Sequence, residues 1–172
     1  MWNKKDLINP IHIGTNLKKI NITKEKETKL ISERFSEIIS KGDIICLYGN
    51  LGVGKTTFVK YLINNIQRKN KVKETEIASP TFSIVNEYLI KDNLIYHYDL
   101  HRIENLQELN NIGFLENHKD CISLIEWPEL VDKKKENKID LFFEYEDDFN
   151  KRSLIIESKN KIIDLWILKV TN

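Results

Sequence analysis

The sequence has little cysteine, and its two cysteines do not form a metal-binding pattern. Cys46 and Cys121 each lie within a short apolar run, and neither has a C-x-x-C or histidine partner at the spacing of a zinc site. We therefore expect neither a disulfide nor a metal centre at these positions. Buried, reduced thiols of this kind are typical of cytoplasmic proteins.

Net charge and long apolar runs are also scarce. The 27 lysines and arginines balance 26 aspartates and glutamates, so the formal net charge of +1 gives no overall field that attracts nucleic acid or a membrane. No apolar run is long enough to span a membrane, and residues 1–14 are too polar, with Pro10 among them, for a signal peptide. We predict a cytoplasmic protein with no membrane or DNA partner.

The remaining composition is that of a soluble globular protein. Hydrophobic residues make up 41% and charged residues 31% of the 172 residues, a length that suits one well-packed domain and is short for two. No repeat or low-complexity tract divides the chain. We predict a loosely ordered extension over residues 1–16 and a single domain over residues 17–172.

One stretch organises the rest of the chain. Residues 49–56 read Gly-Asn-Leu-Gly-Val-Gly-Lys-Thr, which is the G-x-x-x-x-G-K-T pattern of a phosphate-binding loop. The apolar residues 44–48 before it suit a buried parallel strand, and Phe58, Leu62 and Ile66 after it repeat at helical spacing. Strand, glycine loop and helix therefore occur in the order that phosphate binding requires.

The residue types in this loop account for its chemistry. Gly49, Gly52 and Gly54 let the backbone curl so that successive N–H groups face an anion at the start of a helix. Lys55 can reach the β- and γ-phosphates, and the Thr56 hydroxyl can bind Mg²⁺. The loop predicts binding of a nucleoside triphosphate.

The apolar patterns predict further helices and strands. In chain order they are a short strand at 17–22, a helix from the N-cap Thr23 to about Ser40, a β-hairpin over 82–88 and 94–99, a short helix at 105–110, a central strand at 121–126 and three strands at 139–146, 152–157 and 162–168.

A phosphate loop needs an acidic partner for Mg²⁺, usually at the end of an apolar strand. Asp99 and Glu126 both meet that description. Either could bind the metal while the other orients the attacking water, and the residues do not decide between these roles. His97 and His101 flank Asp99 without zinc spacing, so we expect them to be ordinary strand and loop residues.

Residues 137–140 read N-K-x-D, which is similar to the guanine-reading motif of GTPases. In GTPases that motif closes a buried apolar strand, whereas here it follows the charged residues 133–136. The D-x-x-G switch sequence that GTPases carry after the phosphate loop is also missing. We therefore expect ATP as the nucleotide.

Four motifs in order resemble the TsaE family, also called YjeE, whose members are bacterial ATPases of tRNA threonylcarbamoyladenosine biosynthesis. They are residues 49–57 (GNLGVGKTT), 79–82 (SPTF), 96–102 (YHYDLHR) and 126–128 (EWP). The resemblance spans roughly residues 22–157. His101 stands where the family usually has tyrosine, and the first sixteen or so residues look like an addition.

The resemblance implies a single α/β P-loop domain in which helices flank a central mixed β-sheet. It also implies weak, Mg²⁺-dependent ATP hydrolysis that partner proteins activate. Those partners would be the TsaD carbamoyltransferase and its paralogue TsaB, whose complex the ATP cycle would reset between turnovers. Such a subunit would meet tRNA only indirectly.

The resemblance also assigns roles within the site. Thr56 and Glu126 would hold Mg²⁺ with Asp99 close by, and the catalytic residues would be Lys55, Asp99 and Glu126. Residues 79–81 would sense the γ-phosphate, and the helix start near residues 23–28 would approach the base. The complete set of expected nucleotide contacts is Thr23, Thr28, Asn50, Leu51, Gly52, Val53, Gly54, Lys55, Thr56, Thr57, Ser79, Thr81 and Trp127.

Two other functions share the phosphate loop. A small-molecule kinase needs a mobile lid, and the sequence shows no arginine-rich lid segment between residues 67 and 113. A nucleotide-gated assembly module would bind ATP without turning it over. Phosphate transfer and turnover with partner proteins distinguish these functions from a partner-activated ATPase.

Overall fold

The computed structural model describes residues 19–114, 118–132, 137–146 and 149–161, together with Ile163 and Trp166. Within this part of the chain the strands are β1 (Ile20–Asn21), β2 (Ile44–Tyr48), β3 (Val85–Ile90), β4 (Asn93–Asp99), β5 (Cys121–Glu126), β6 (Lys138–Tyr145) and β7 (Arg152–Ser158). The α-helices are α1 (Glu25–Phe35), α2 (Lys55–Lys69) and α3 (Leu106–Asn111). A 3-10 turn at His118–Asp120 leads into β5.

The strands form one seven-stranded sheet in the order β1-β7-β6-β2-β5-β4-β3. The four central strands, β6, β2, β5 and β4, are parallel to their neighbours in this group. The outer pairs β3–β4, β6–β7 and β1–β7 are antiparallel. This arrangement confirms the predicted α/β domain with a central mixed sheet. The largely apolar sequence of β5 follows from its place among the central strands, where every residue of the strand is buried.

Alternate residues of each strand face opposite sides of the sheet. One face packs against α1 and α2, where Phe35 and Phe58 meet with ring centroids 5.8 Å apart. Both rings are fully buried, and burying a phenylalanine side chain contributes roughly 1.5–3 kcal/mol. The other face packs against α3 and its neighbouring loops around Tyr98 and Phe114. Helices thus cover the sheet on both sides, as predicted.

The first helix is shorter than predicted and begins one residue later. Its N-cap is Lys24, and the Glu27 carboxylate accepts a 3.0 Å hydrogen bond from the Lys24 backbone N–H. The predicted N-cap, Thr23, is wrong because its hydroxyl instead accepts a 3.1 Å hydrogen bond from the Arg152 backbone N–H. A contact with the start of β7 therefore replaces the local capping contact.

Several predicted elements agree with the structure and one does not. The hairpin, the short helix, the central strand and the strands at 139–146 and 152–157 are confirmed. The predicted strand at 162–168 lies largely outside the described residues, but Ile163 and Trp166 are helical rather than extended. Trp166 packs against Phe35 at 5.7 Å between ring centroids. The predicted extension, residues 1–16, lies outside the described residues.

The strand register brings the predicted carboxylates to one edge of the sheet. Leu47 of β2 pairs with Glu126 of β5, and Glu126 pairs with Asp99 of β4. The loop that begins at Gly49 starts at the same edge. No helix within the described residues is both long and apolar enough to cross a membrane.

Candidate nucleotide-binding site

The phosphate loop joins β2 to α2, as the sequence predicts. Gly54 is the N-cap of α2 with a φ of 118°, and a Cβ built there would meet no atom within 4 Å. A Cβ on Gly49 would lie 2.3 Å from the Phe143 carbonyl oxygen, so this end of the loop is pressed against β6. The loop is therefore braced at Gly49 and open at Gly54, where the helix N-terminus favours an anion.

Lys55 lies buried beneath this open loop. Its side chain donates hydrogen bonds from Nζ to the carbonyl oxygens of Gly49, at 2.6 Å, and Asn50, at 3.0 Å. Nζ also lies 4.1 Å from the ring centroid of Trp127, within the range of a cation–π interaction. Burial lowers the pKa of Lys55 below its ordinary value, against the opposing effect of the Glu126 and Asp99 carboxylates. The Lys55 ammonium group is thus held against the backbone of the phosphate loop.

Thr56 contacts Glu126 directly. Its Oγ1 donates a 2.9 Å hydrogen bond to Oε2 of Glu126, whose side chain is almost completely buried at the end of β5. Hydroxyl and carboxylate oxygens are hard ligands that suit Mg²⁺. No cluster of three or more histidine, cysteine or acidic side chains that could hold a metal occurs within the described ranges. The donor set fits Mg²⁺, which also takes water and phosphate oxygens as ligands, better than zinc.

Asp99 is engaged with the loop at residues 79–84 rather than with Thr56. Its Oδ2 accepts a 2.7 Å hydrogen bond from Thr81 Oγ1, and its Oδ1 accepts one of 3.0 Å from the His101 backbone N–H. The hydroxyls of Ser79 and Thr81 lie 2.8 Å apart. The structure thus brings Ser79 and Thr81 to Asp99. The two carboxylates have different partners, although they are neighbours across the strands.

His97 is the residue whose part in the site the sequence analysis missed. It was expected to be an ordinary strand residue, but its Nε2 lies 2.9 Å from Oε1 of Glu126. The available signal was its position two residues before Asp99, because residues two apart on a strand face the same side of a sheet.

The other residues predicted to contact the nucleotide differ in how exposed they are and in what they lie against. Trp127 lies beside Lys55, Leu51 is exposed and Val53 is buried. The remaining loop residue, Gly52, lies against Tyr145, since a Cβ there would be 3.3 Å from the Tyr145 hydroxyl.

Three more predicted residues lie on the helices or just before them. Thr57 is in the first turn of α2. Thr23 is held by Arg152, and Thr28 is only 5% exposed on α1. The roles of Thr23 and Thr28 toward a base stay predictions.

Comparisons with known proteins identify the family of this chain and a solved structure with the same fold. A family model described as threonylcarbamoyl adenosine biosynthesis protein TsaE matches residues 22–154. The tRNA threonylcarbamoyladenosine biosynthesis protein TsaE of Rickettsia typhi is 38% identical over 110 residues, which are 64% of this chain and 74% of that protein. The protein of the same name from Aquifex aeolicus is 33% identical over 144 residues, or 83% of this chain and 98% of that protein.

A solved structure shares the fold. The crystal structure of Bacillus subtilis YdiB aligns with a TM-score of 0.65 and 22% identity, covering 92% of this chain and 100% of that one. At this identity the likeness supports the α/β fold alone.

The family match covers well over half of the chain, and a phosphate-loop fold of this family implies nucleotide binding. The chain belongs to the TsaE family.

Proposed function

We propose that this chain is the ATP-binding and ATP-hydrolysing subunit of tRNA threonylcarbamoyladenosine biosynthesis. It would act with TsaD and TsaB homologues, support their turnover and meet tRNA only indirectly. Family membership supports the pathway. The observation that carries the ATPase activity is the convergence of Lys55, Thr56 and Glu126 at one open glycine loop.

The residues suggest a division of labour in hydrolysis. Lys55 and the backbone N–H groups of the loop would bind the phosphates and neutralise the charge that develops during transfer. Thr56 and Glu126 would hold Mg²⁺, which supplies further positive charge at the phosphate oxygens. Asp99, with both oxygens engaged, would keep Thr81 in place at the γ-phosphate end of the site.

The cysteines fit the proposed cytoplasmic setting. Cys46 pairs with Ile125, four residues after Cys121 on the neighbouring strand. At about 3.3 Å per residue the two cysteines are offset by about 13 Å along the strands, roughly twice the span of a disulfide. Both thiols are buried, and burial raises the pKa of the Cys121 thiol. A reducing compartment suits this pair.

The test is ATP binding and phosphate release by the purified chain, alone and with its TsaD and TsaB homologues. Lys55→Ala should lose tight ATP binding, whereas Lys60→Ala, which alters an exposed lysine of the same helix, should bind as wild type. The wild type should release inorganic phosphate faster with the partners present. Equal ATP binding by both variants would refute the site.

Two further outcomes separate the alternatives. Binding without phosphate release under every condition would indicate a nucleotide-gated assembly module. Transfer of labelled phosphate to a metabolite would indicate a kinase. Either result would overturn the proposed hydrolysis while leaving the nucleotide site intact.

A further inference from the structure

We propose that His97 is a positioning residue that holds the Glu126 carboxylate in the orientation needed to bind Mg²⁺. The inference rests on the proposed function, since it concerns the metal that Thr56 and Glu126 would hold. It is carried by two contacts on one carboxylate. Oε1 of Glu126 meets His97 Nε2 at 2.9 Å, and Oε2 accepts a hydrogen bond from Thr56 Oγ1 at 2.9 Å.

The hydrogen-bond chemistry assigns the direction of the His97 contact. An ionised carboxylate can only accept hydrogen bonds, so Nε2 of His97 carries the proton and donates it. His97 is fully buried, and its other nitrogen, Nδ1, has no hydrogen-bond partner in the part of the chain that the structure describes. Nδ1 therefore carries no proton, because burying an N–H group without a hydrogen-bond acceptor costs free energy. Within the described residues, the one polar contact of the His97 ring is therefore the contact of Nε2 with Glu126.

The fold does not need a polar side chain at this position. Odd-numbered residues of β4 and even-numbered residues of β5 share the face covered by α1 and α2, and Ile95 and Leu124 belong to its apolar core. His97 pairs with Leu124 in the parallel register and lies between Ile95 and Asp99. An apolar residue would continue the core row at this point. The contact with the Glu126 carboxylate accounts for a histidine at this position.

The two partners of Glu126 have different consequences for a metal. Thr56 and Oε2 of Glu126 are the two oxygens that would bind Mg²⁺, whereas His97 holds the opposite oxygen, Oε1. Without His97, the carboxylate would lose its only hydrogen bond on that side within the described residues and could turn away. Loss of such a partner behind a metal ligand typically weakens metal affinity about 10- to 100-fold. Nucleotide binding without metal depends instead on Lys55 and the loop.

The experiment compares three substitutions of His97 with a matched histidine. His97→Leu removes the donor, His97→Gln places an amide N–H about where Nε2 lies, and His97→Asn places it nearer to the position of Nδ1. His118→Leu is the control, because His118 is also buried and its Nδ1 lies 2.8 Å from Ser123 Oγ on β5. We measure Mn²⁺ binding in the presence of ADP by electron paramagnetic resonance. ADP binding in EDTA is measured by calorimetry.

We expect His97→Leu and His97→Asn to weaken Mn²⁺ binding about 10- to 100-fold while ADP binding in EDTA stays at the wild-type value. His97→Gln should recover most of the lost affinity, and His118→Leu should bind Mn²⁺ as wild type. A merely structural role would predict no difference between the glutamine and asparagine variants. That result, or wild-type Mn²⁺ binding by His97→Leu, would overturn the inference.

The controls separate this inference from the proposed function. If the wild type binds neither ADP nor Mn²⁺ with ADP, the proposed nucleotide site itself is wrong. If the wild type binds both and the His97 variants do not differ from it, only the role of His97 is wrong. Thermal unfolding shows whether each variant is folded. Should His97→Leu fail to fold, the comparison of His97→Gln with His97→Asn decides.

Discussion

Thr56 and Glu126 are separated by 70 residues in the chain, yet Oγ1 of the first donates a 2.9 Å hydrogen bond to Oε2 of the second. The contact joins the first turn of α2 to the last residue of β5. It exists because β2, which leads into the phosphate loop, pairs in parallel with β5 and ends at the same level. A hydroxyl and a carboxylate brought this close can share one cation.

Thr56→Ala should separate nucleotide binding from metal-dependent turnover. Removing the hydroxyl takes away one proposed Mg²⁺ ligand but leaves Lys55 and the loop, so ADP binding in EDTA should stay near wild type. Because a metal stabilises the transition state by several kcal/mol, Mg²⁺-dependent hydrolysis should fall at least about 100-fold. Thr75→Ala, which removes a hydroxyl that accepts a 2.9 Å hydrogen bond from Gln67, is the control. Equal hydrolysis rates for the two variants would contradict the assignment.

Thr81→Val tests the link between Asp99 and the loop at residues 79–84. The substitution keeps the shape but leaves Oδ2 of the buried Asp99 without this 2.7 Å hydrogen bond. The free energy of unfolding should fall by about 1–3 kcal/mol, and amide hydrogen exchange in the loop should accelerate. Ser83→Ala, at an exposed position of the same loop, should change stability little. Unchanged exchange in Thr81→Val would mean that Asp99 does not hold the loop.

Lys55 should make stability depend on pH in a defined direction. Burial lowers the pKa of Lys55 in the folded protein below its ordinary value of 10.5, so the unfolded chain binds more protons between the two pKa values. Stability contributed by this group therefore rises with pH across that window and is lowest below the folded-state pKa. Lys55→Met should raise the unfolding temperature at pH 7, and its advantage should shrink as the pH approaches 10.5.

The control for this prediction is Lys60→Met, at an exposed position of the same helix. Its unfolding temperature should follow that of the wild type across the same pH series. Differential scanning calorimetry without nucleotide measures both variants. An advantage of Lys55→Met that grows with pH would contradict the sign of the effect.

Substituting alanine for either of two loop glycines should destabilise the protein, but for different reasons. At Gly54 a Cβ has open space, so Gly54→Ala should cost about 1–3 kcal/mol from its positive φ alone and should chiefly impair phosphate binding. At Gly49 the added Cβ would also collide with the Phe143 carbonyl oxygen, so Gly49→Ala should destabilise the protein more. Urea unfolding measures both. The reverse order of stability would contradict the described packing of the loop.

Local patterns were enough to predict much of the fold. The strand, loop and helix around Gly49 are encoded by neighbouring residues, namely apolar runs and glycines that tolerate positive φ. The same holds for the hairpin and for β5. The start of α1 was predicted wrongly because Thr23 bonds to Arg152, which is distant in sequence. The segment after residue 161 was predicted as a strand because short apolar runs suit strands and buried helices alike.

The sequence by itself determined that an anion-binding loop with a lysine and a hydroxyl would follow a buried strand, because those features depend on residues close together in the chain. It also identified two strand-end carboxylates, and only the family resemblance, not the residue pattern, indicated that Glu126 shares a metal with Thr56. Only the tertiary structure shows the contacts themselves: Thr56 donates a hydrogen bond to Glu126, Thr81 donates one to Asp99, and Nε2 of His97 contacts Glu126. The physical reason is that strand order and register, which are set by packing across the whole sheet, determine which side chains become neighbours.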